Sequence, residues 1–296
     1  MDSEVLNDYR KAGKIAAESL DYGISLLKDG VLIFDVVINI EKKIKELGGE
    51  MAFPVNVSFN KVAAHYTPLM GDNTKVTPKD MIKLDIGVHV NGYIGDNART
   101  IGPNKGLIEA SEDALNEAIK LCKPGTKVNE IGKAIEGIIT KAGFNPIRNL
   151  SGHGLRQFEA HSQDINIPNY DNGDTTKLKE GDVIAIEPFA TNGIGMVKDS
   201  TPSGIYQVLI PRPTRVGRDV LVHILDTYKK LPFVARWIPK RFPTYKVRFV
   251  LNQGEKDGII HQYPRLVEKQ DGAVAQAEHT VLITKEGCEI LTEKPK

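Results

Sequence analysis

Residues 83–100, KLDIGVHVNGYIGDNART, constrain the fold more than any other stretch of this 296-residue chain. Asn-Gly between alternating apolar residues is the strongest short hairpin signal, a two-residue turn with positive φ at both positions. With Asn91-Gly92 as that turn, Val90 faces Tyr93, Gly87 faces Asp96 and Asp85 faces Ala98. Strand side chains alternate, so Asp85 and Asp96 share one face as diagonal neighbours, about 7–8 Å apart backbone to backbone. Leu84, Ile86, Val88 and Val90 take the opposite face. The acidic face carries the small residues Gly87 and Ala98, which leave room above the sheet. Two carboxylates brought together among apolar residues need a cation or a shared proton. A shared proton suits touching groups better than diagonal ones. The bland alternative is two acids on a solvated strand face.

The rest of the chain supplies blocks of helix and blocks of strand. Residues 4–28 read as an amphipathic helix, and 33–47 as a second one closed by Gly48-Gly49. Residues 52–60 alternate like a strand. Helical stretches at 107–122 and 128–142 end at Pro124-Gly125 and Gly143. DVIAIEP (182–188) reads as a short buried strand stopped by Pro188, and GAVAQAEHTVLIT (272–284) as a strand with an acid inside it. No regular βαβ alternation is present, which favours an α+β class with an antiparallel sheet. Two helices beside a hairpin, then two helices beside more strands, hint at two similar halves.

Composition agrees with a soluble globular chain: 41% apolar and 26% charged residues, net charge +1. The two cysteines, Cys122 and Cys288, form no CxxC or zinc pattern and are expected to be structural. The N-terminus lacks an apolar signal region and no run reaches a membrane span, so a cytoplasmic protein with no membrane contact is expected. The charge is unevenly spread. Residues 211–248 hold ten Lys or Arg against two Asp, a local +8 that leaves −7 for the rest. That stretch, with the single Trp, reads as a small helical unit inserted in a larger domain. It is either a solvated helical surface or a basic patch for RNA or another anionic partner.

Three further segments present metal-ligand side chains. SGHGL sets His153 between two glycines. VIAIEPF ends an apolar strand on Glu187. AQAEHTVLI puts Glu278 in mid-strand. A lone His or Glu is usually an ordinary core or surface residue. Together with the hairpin acids, these positions give four carboxylates and one imidazole. Four negative charges match two divalent cations, and an oxygen-rich set with one nitrogen suits manganese, iron, cobalt or zinc. Two such ions make a hydrolytic centre.

At these residues the chain resembles the methionine aminopeptidases, a family with the pita-bread fold, and specifically its type 2 members. The carriers are AAHYTP (63–68), LDIGVHVNGYIGDNA (84–98), SGHGL (151–155), AIEPF (185–189) and AEHT (277–280). The resemblance implies a single catalytic domain over 1–296: a curved antiparallel sheet covered by helices in pseudo-twofold halves, with a type 2 helical insertion at about 205–262. It implies removal of the N-terminal methionine of nascent polypeptides, with a small second residue preferred, by a methionyl aminopeptidase using two divalent ions (cobalt, manganese, iron(II) or zinc). Asp85, Asp96, His153, Glu187 and Glu278 stand in the family's ligand order. Glu187 would also handle the proton of the attacking water. His65 would contact the scissile peptide and help the leaving nitrogen, and His161 would bind the substrate carbonyl. Phe53 and Tyr263 resemble the family's methionine pocket, whose soft apolar walls suit an unbranched thioether. A monomer is expected, with no DNA partner and with ribosome contact through 211–248 as an open option.

One departure stands out. The family often has an aromatic residue before its last glutamate, and here it is Ala277, which implies looser packing beside the site. Without a eukaryotic-type extension, the chain resembles a minimal archaeal form. His89 is expected at the surface or behind the ligands, His223 and His261 outside catalysis, and His279 on the strand face away from Glu278. Two alternatives stand beside this reading: a proline-specific dipeptidase or aminopeptidase of the same fold, and a non-catalytic pita-bread protein that binds RNA or ribosomes.

Overall fold

A computed structural model describes residues 1–210 and 217–293. Helices α1 (Ser3–Leu26) and α2 (Ile33–Glu46) come first, then strands β1 (Glu50–Met51), β2 (Asn56–Phe59) and β3 (Val62–Ala64). The hairpin follows as β4 (Ile82–Val90) and β5 (Tyr93–Ile101), then helices α3 (Lys105–Lys120) and α4 (Val128–Lys141). Strands β6 (Asn145–Pro146), β7 (Ser151–Arg156), β8 (Glu159–Pro168), β9 (Val183–Ile186), β10 (Phe189–Thr191) and β11 (Val197–Val208) come next. Helix α5 (Arg218–Tyr228), β12 (Phe233–Val234), a 3₁₀ turn (Ala235–Trp237) and α6 (Thr244–Lys256) lead to β13 (Ile260–Glu268), β14 (Val274–Ile283) and β15 (Cys288–Ile290).

The larger sheet has eleven strands with the central order β1-β4-β5-β14-β9-β7-β8, and a second sheet has the order β12-β11-β13-β3. Directly opposite residues on neighbouring strands share a face. Leu84 pairs with Arg99 and Arg99 with Ala277, so these three look to one side. Asp85, Ala98 and Glu278 pair in the same way and look to the other.

The helices cover the first side. Ile15, Ala16 and Leu20 of α1 and Val36, Val37, Ile40 and Ile44 of α2 pack on Leu84, Ile86 and Val88 in one buried cluster. Leu107, Ala114 and Leu115 of α3 and Ile131, Ile135 and Ile139 of α4 pack on Ala277, Val281 and Ile283. Two helix pairs therefore lie side by side on one face, consistent with the two halves expected from the sequence. Their ends follow local rules. Asn104 accepts from Leu107 N at 3.1 Å to cap α3. Gly48 and Gly143 take positive φ just past α2 and α4.

Some boundaries differ from the sequence expectation. The strand expected over 52–60 is only Asn56–Phe59. Pro54 has no N–H for a ladder, and Ala52 bonds singly to Gly87 O. The strand expected at 182–188 stops at Ile186, so Glu187 begins the loop that Pro188 enforces.

The segment between β11 and β13 has its own apolar cluster, including Val220, Leu221, Ile224, Phe233, Val250 and Leu251. Residues 211–216 of the basic stretch lie outside the described residues. Among the described residues no helix is long and apolar enough to cross a membrane.

Candidate metal centre

The hairpin folds in the register that its turn dictates. Asn91 and Gly92 have φ of 52° and 90°. Val90 pairs with Tyr93, Gly87 with Asp96 and Asp85 with Ala98. Asp85 and Asp96 are thus diagonal neighbours on the helix-free face. The space above Gly87, expected to be open, is filled: a Cβ there would fall 2.1 Å from the Phe53 ring. Glycine admits the aromatic wall.

Neighbouring strands bring in the remaining ligand types. Glu278 lies directly opposite Ala98 on the edge away from Asp85. His153 on β7 pairs with Ala185 of β9, and Glu187 follows two residues later. Its Nε2 lies 3.9 Å from Asp96 Oδ2 and 3.7 Å from Glu187 Oε1. One ligand atom each from Asp96, His153 and Glu278 lie within 4.8 Å of one another. Asp85 and Glu187 complete the wall of the same cavity.

That cavity lies between the two sheets. The large sheet supplies the acids and His153. The small sheet and the turn after β3 supply His65, Tyr263, Ile205 and Leu266, while Phe53, His161 and Phe189 close the sides. All nine residues singled out from the sequence line this space.

The electrostatics call for cations. Burial raises the Asp85 carboxyl to about 7. Asp96, Glu187 and Glu278 are pushed well above the usual carboxylate range, first by burial and then by the charges of the neighbouring acids, Asp85 among them. Asp85 Oδ1, Asp96 Oδ1 and Glu278 Oε2 are buried with no hydrogen-bond partner. Burial lowers His153 to about 4, so its imidazole is neutral and can offer a lone pair. Orphaned carboxylate oxygens beside a neutral imidazole are the donor set of a hard or borderline divalent ion. The residues present fit such ions.

The accessory histidines are held by different means. His65 adopts the left-handed conformation, φ 64°, unusual for a residue with a side chain. Its Nδ1 lies 3.1 Å from Pro264 O. A carbonyl only accepts, so Nδ1 carries the proton and Nε2 is left as an acceptor. Burial lowers its pKa to about 4. His161 sits edge-on to His153 with ring centroids 4.7 Å apart, and faces Phe53 at 6.5 Å. Burial drives its pKa well below the usual imidazole value, helped by His153 and then His65. Tyr263 meets His65 edge-on at 5.1 Å and donates its hydroxyl to Gln207 Oε1 at 2.7 Å.

The remaining histidines fall outside the cavity. His89 packs on Phe158 and accepts from Gly92 N at 3.2 Å. His279 turns to the far face, with Nδ1 2.9 Å from Thr292 Oγ1. His261 touches the outer side of Tyr263, centroids 4.8 Å apart, and His223 lies on α5. Strand alternation turns Ala277 toward α3 and α4 rather than toward the ligands. A small cavity lined by Ala277, Leu115, Arg99 and Glu278 lies there, so the looser packing expected at this position falls on the helix side of the ligand strand.

Gln276 and Lys83 were missed in the sequence. Gln276 Nε2 donates to Glu187 Oε2 at 3.2 Å, and its amide also favours the charged form of Asp85. Lys83 is fully buried behind the acids. Each stands two residues before a ligand candidate, on the same strand face, and that period-two relation was the available signal.

Comparison with known proteins agrees with this geometry. A family model described as metallopeptidase family M24 matches residues 7–285. A methionine aminopeptidase of Thermococcus onnurineus is 48% identical over 288 residues, covering 95% of this chain and 97% of its own length. Another, from Methanocaldococcus jannaschii, is 43% identical over 298 residues, covering 99% and 100%. The crystal structure of a methionine aminopeptidase from Thermotoga maritima superposes with a TM-score of 0.73 at 24% identity, covering 99% of this chain and 98% of that one. At that identity the likeness speaks for the fold.

Proposed function

The chain belongs to metallopeptidase family M24, and on that premise we propose that its cavity removes the N-terminal methionine of newly made polypeptides. The observation that carries this reading is the convergence of Asp85, Asp96, His153, Glu187 and Glu278 with His65 and His161 around one space. Relatives that match nearly the full chain are named methionine aminopeptidases. The family uses divalent metal. We assign two ions to this site, because two dications balance four carboxylates; cobalt, manganese, iron(II) and zinc all suit the donors. When bound, such ions polarise a carbonyl and make a water nucleophilic near neutral pH.

The chain's own residues do the rest. Asp85, Asp96, His153, Glu187 and Glu278 hold the ions. Glu187, oriented by Gln276, takes the proton of the attacking water and returns it to the departing amine. His65 Nε2 accepts from the scissile N–H and places the leaving nitrogen. His161, a neutral imidazole, donates one N–H to the substrate carbonyl and to the oxyanion that develops there. Phe53, His161 and Tyr263 enclose the methionine side chain.

We read residues of about 205–262 as an insertion into a single catalytic domain, working as a monomer in the cytoplasm where its substrates are made. Exposed Tyr245 and Phe249 on basic α6 favour a ribosomal RNA contact there. Steep weakening of ribosome association with added salt supports that contact, and a flat response opposes it.

The deciding experiment is turnover by metal-loaded enzyme of Met-Ala-Ser against Gly-Pro and Arg-Pro-Pro. Cleavage of the methionyl peptide is expected. Turnover of the proline peptides alone would replace this reading with a proline-specific one.

A further inference from the structure

Behind the acids the sheet holds a buried lysine that the steps above do not use. Lys83 stands two residues before Asp85 on the same strand face and is 1% exposed. Its Nζ donates to Asn60 O at 3.1 Å and to Val274 O at 2.9 Å. Asn60 O also accepts from Val274 N at 3.0 Å, so one side chain closes a ring through three chain segments. Among the described residues no carboxylate lies within ion-pair distance of this Nζ. A lysine buried without an acid is costly to a core, and an apolar side chain would fill the same space more cheaply.

The three segments explain what it does there. From Lys83 the chain reaches Asp85 in two residues. From Val274, at the head of β14, it reaches Gln276 in two and Glu278 in four. From Asn60, in the left-handed turn after β2 (φ 51°), it reaches His65 in five. The turn at Asn60 is itself pinned, with its N bonded to Met81 O and its Oδ1 accepting from Met81 N, both just before Lys83. β4 and β14 are not neighbours in the sheet, since β5 lies between them. No ladder bond therefore sets the separation of Asp85 from Gln276 and Glu278 directly. Lys83 crosses that gap.

We propose that Lys83 is a positioning residue: its buried Nζ, bonded to two carbonyls, fixes β4, β14 and the β2–β3 turn relative to one another. It thereby sets the spacing of Asp85, Glu278 and His65. It touches neither ligand nor substrate, and the proposal rests on the metallopeptidase reading of the cavity. Catalytic geometry tolerates little drift, since displacement of about 1 Å costs on the order of 10²-fold in rate.

The test compares Lys83→Met, which keeps the bulk and removes the donors, with Lys83→Ala, which leaves a slot. Both are assayed well below their unfolding temperatures for Met-Ala-Ser turnover and, by calorimetry, for Mn²⁺ affinity. Lys83→Met is expected to lose about tenfold or more in kcat with little change in KM, together with weaker Mn²⁺ binding. Added ethylammonium chloride is expected to restore both properties in Lys83→Ala, where it fits the slot, and neither in Lys83→Met. Wild-type values in Lys83→Met overturn the proposal. So does failure of ethylammonium to restore Mn²⁺ binding in folded Lys83→Ala. If the wild type itself cleaves no methionyl peptide, the aminopeptidase reading fails, while the Mn²⁺ measurement still judges Lys83.

Discussion

The side-chain amide of Gln276 donates to Oε2 of Glu187 at 3.2 Å. The other oxygen of that carboxylate faces His153 Nε2 at 3.7 Å. Gln276 therefore holds one oxygen of Glu187 and leaves the other turned toward His153, although Glu187 lies in a loop just past the end of β9. Glu187→Gln is expected to abolish hydrolysis while leaving bound metal largely intact, as read by turnover and metal analysis of the same sample. Full activity in that variant would refute the proton-handling role. Gln276→Leu removes one hydrogen bond to a charged group, worth about 1.5–3 kcal/mol, so kcat should fall by about 10- to 100-fold.

Ala98 shares a strand face with two of the ligand candidates. It lies directly between Asp85 and Glu278, opposite each across one strand edge. A larger side chain there must occupy the space the ions require. Ala98→Val fits a strand by propensity, so the fold should survive. Metal content should drop sharply and activity with it, while circular dichroism stays that of the wild type. Full metal loading in Ala98→Val would show that the ions sit elsewhere.

Much of this arrangement was legible because strands report through alternation. The Asn-Gly turn fixed one register, and that register placed Asp85 and Asp96 on one face with no reference to relatives. It could not place Glu278, because strand order within a sheet is set by packing among distant segments. β14 lies beside β5 across nearly 180 residues of intervening chain, and only the resemblance joined them beforehand. Lys83 and Gln276 were overlooked for another reason. Lysine and glutamine mostly belong at surfaces, and composition gives no hint that a particular one is buried. Phe53 over Gly87 was hidden too, since a glycine announces space without saying what fills it.

That contact makes a prediction about specificity. A Cβ at Gly87 would fall 2.1 Å from Phe53 Cε1 and 2.4 Å from its Cδ1. The ring of Phe53, itself only 6% exposed, has little room to retreat. Gly87→Ala should destabilise the protein by about 1–3 kcal/mol, the usual cost of overpacking. It should also push the ring into the proposed methionine pocket. The expected kinetic result is a higher KM for Met-Ala-Ser with a smaller change in kcat. A wild-type KM would mean that Phe53 does not border the bound side chain.

The raised carboxylates make the metal-free protein sensitive to pH in a definite direction. Burial lifts the Asp85 carboxyl from 3.8 to about 7. The folded state therefore holds a proton that the unfolded state releases, and stability contributed by this group is present below about 3.8 and lost as pH rises to about 7. The buried histidines run the other way. His65 and His153, lowered from 6.5 to about 4, contribute stability that is present above about 6.5 and lost as pH falls toward 4. The two effects are separated by comparing metal-free wild type with Asp85→Asn, which removes the Asp85 charge and its push on Asp96, Glu187 and Glu278 and leaves the histidines in place. Asp85→Asn should match the wild-type Tm near pH 4 and exceed it at pH 8. With Mn²⁺ added at pH 8 the order should reverse, because the wild type gains binding energy that the variant has forfeited. Thermal unfolding after chelation at both pH values, and again after metal addition at pH 8, reads these values. An Asp85→Asn Tm below that of metal-free wild type at pH 8 would show that the Asp85 charge is not a burden in the empty site.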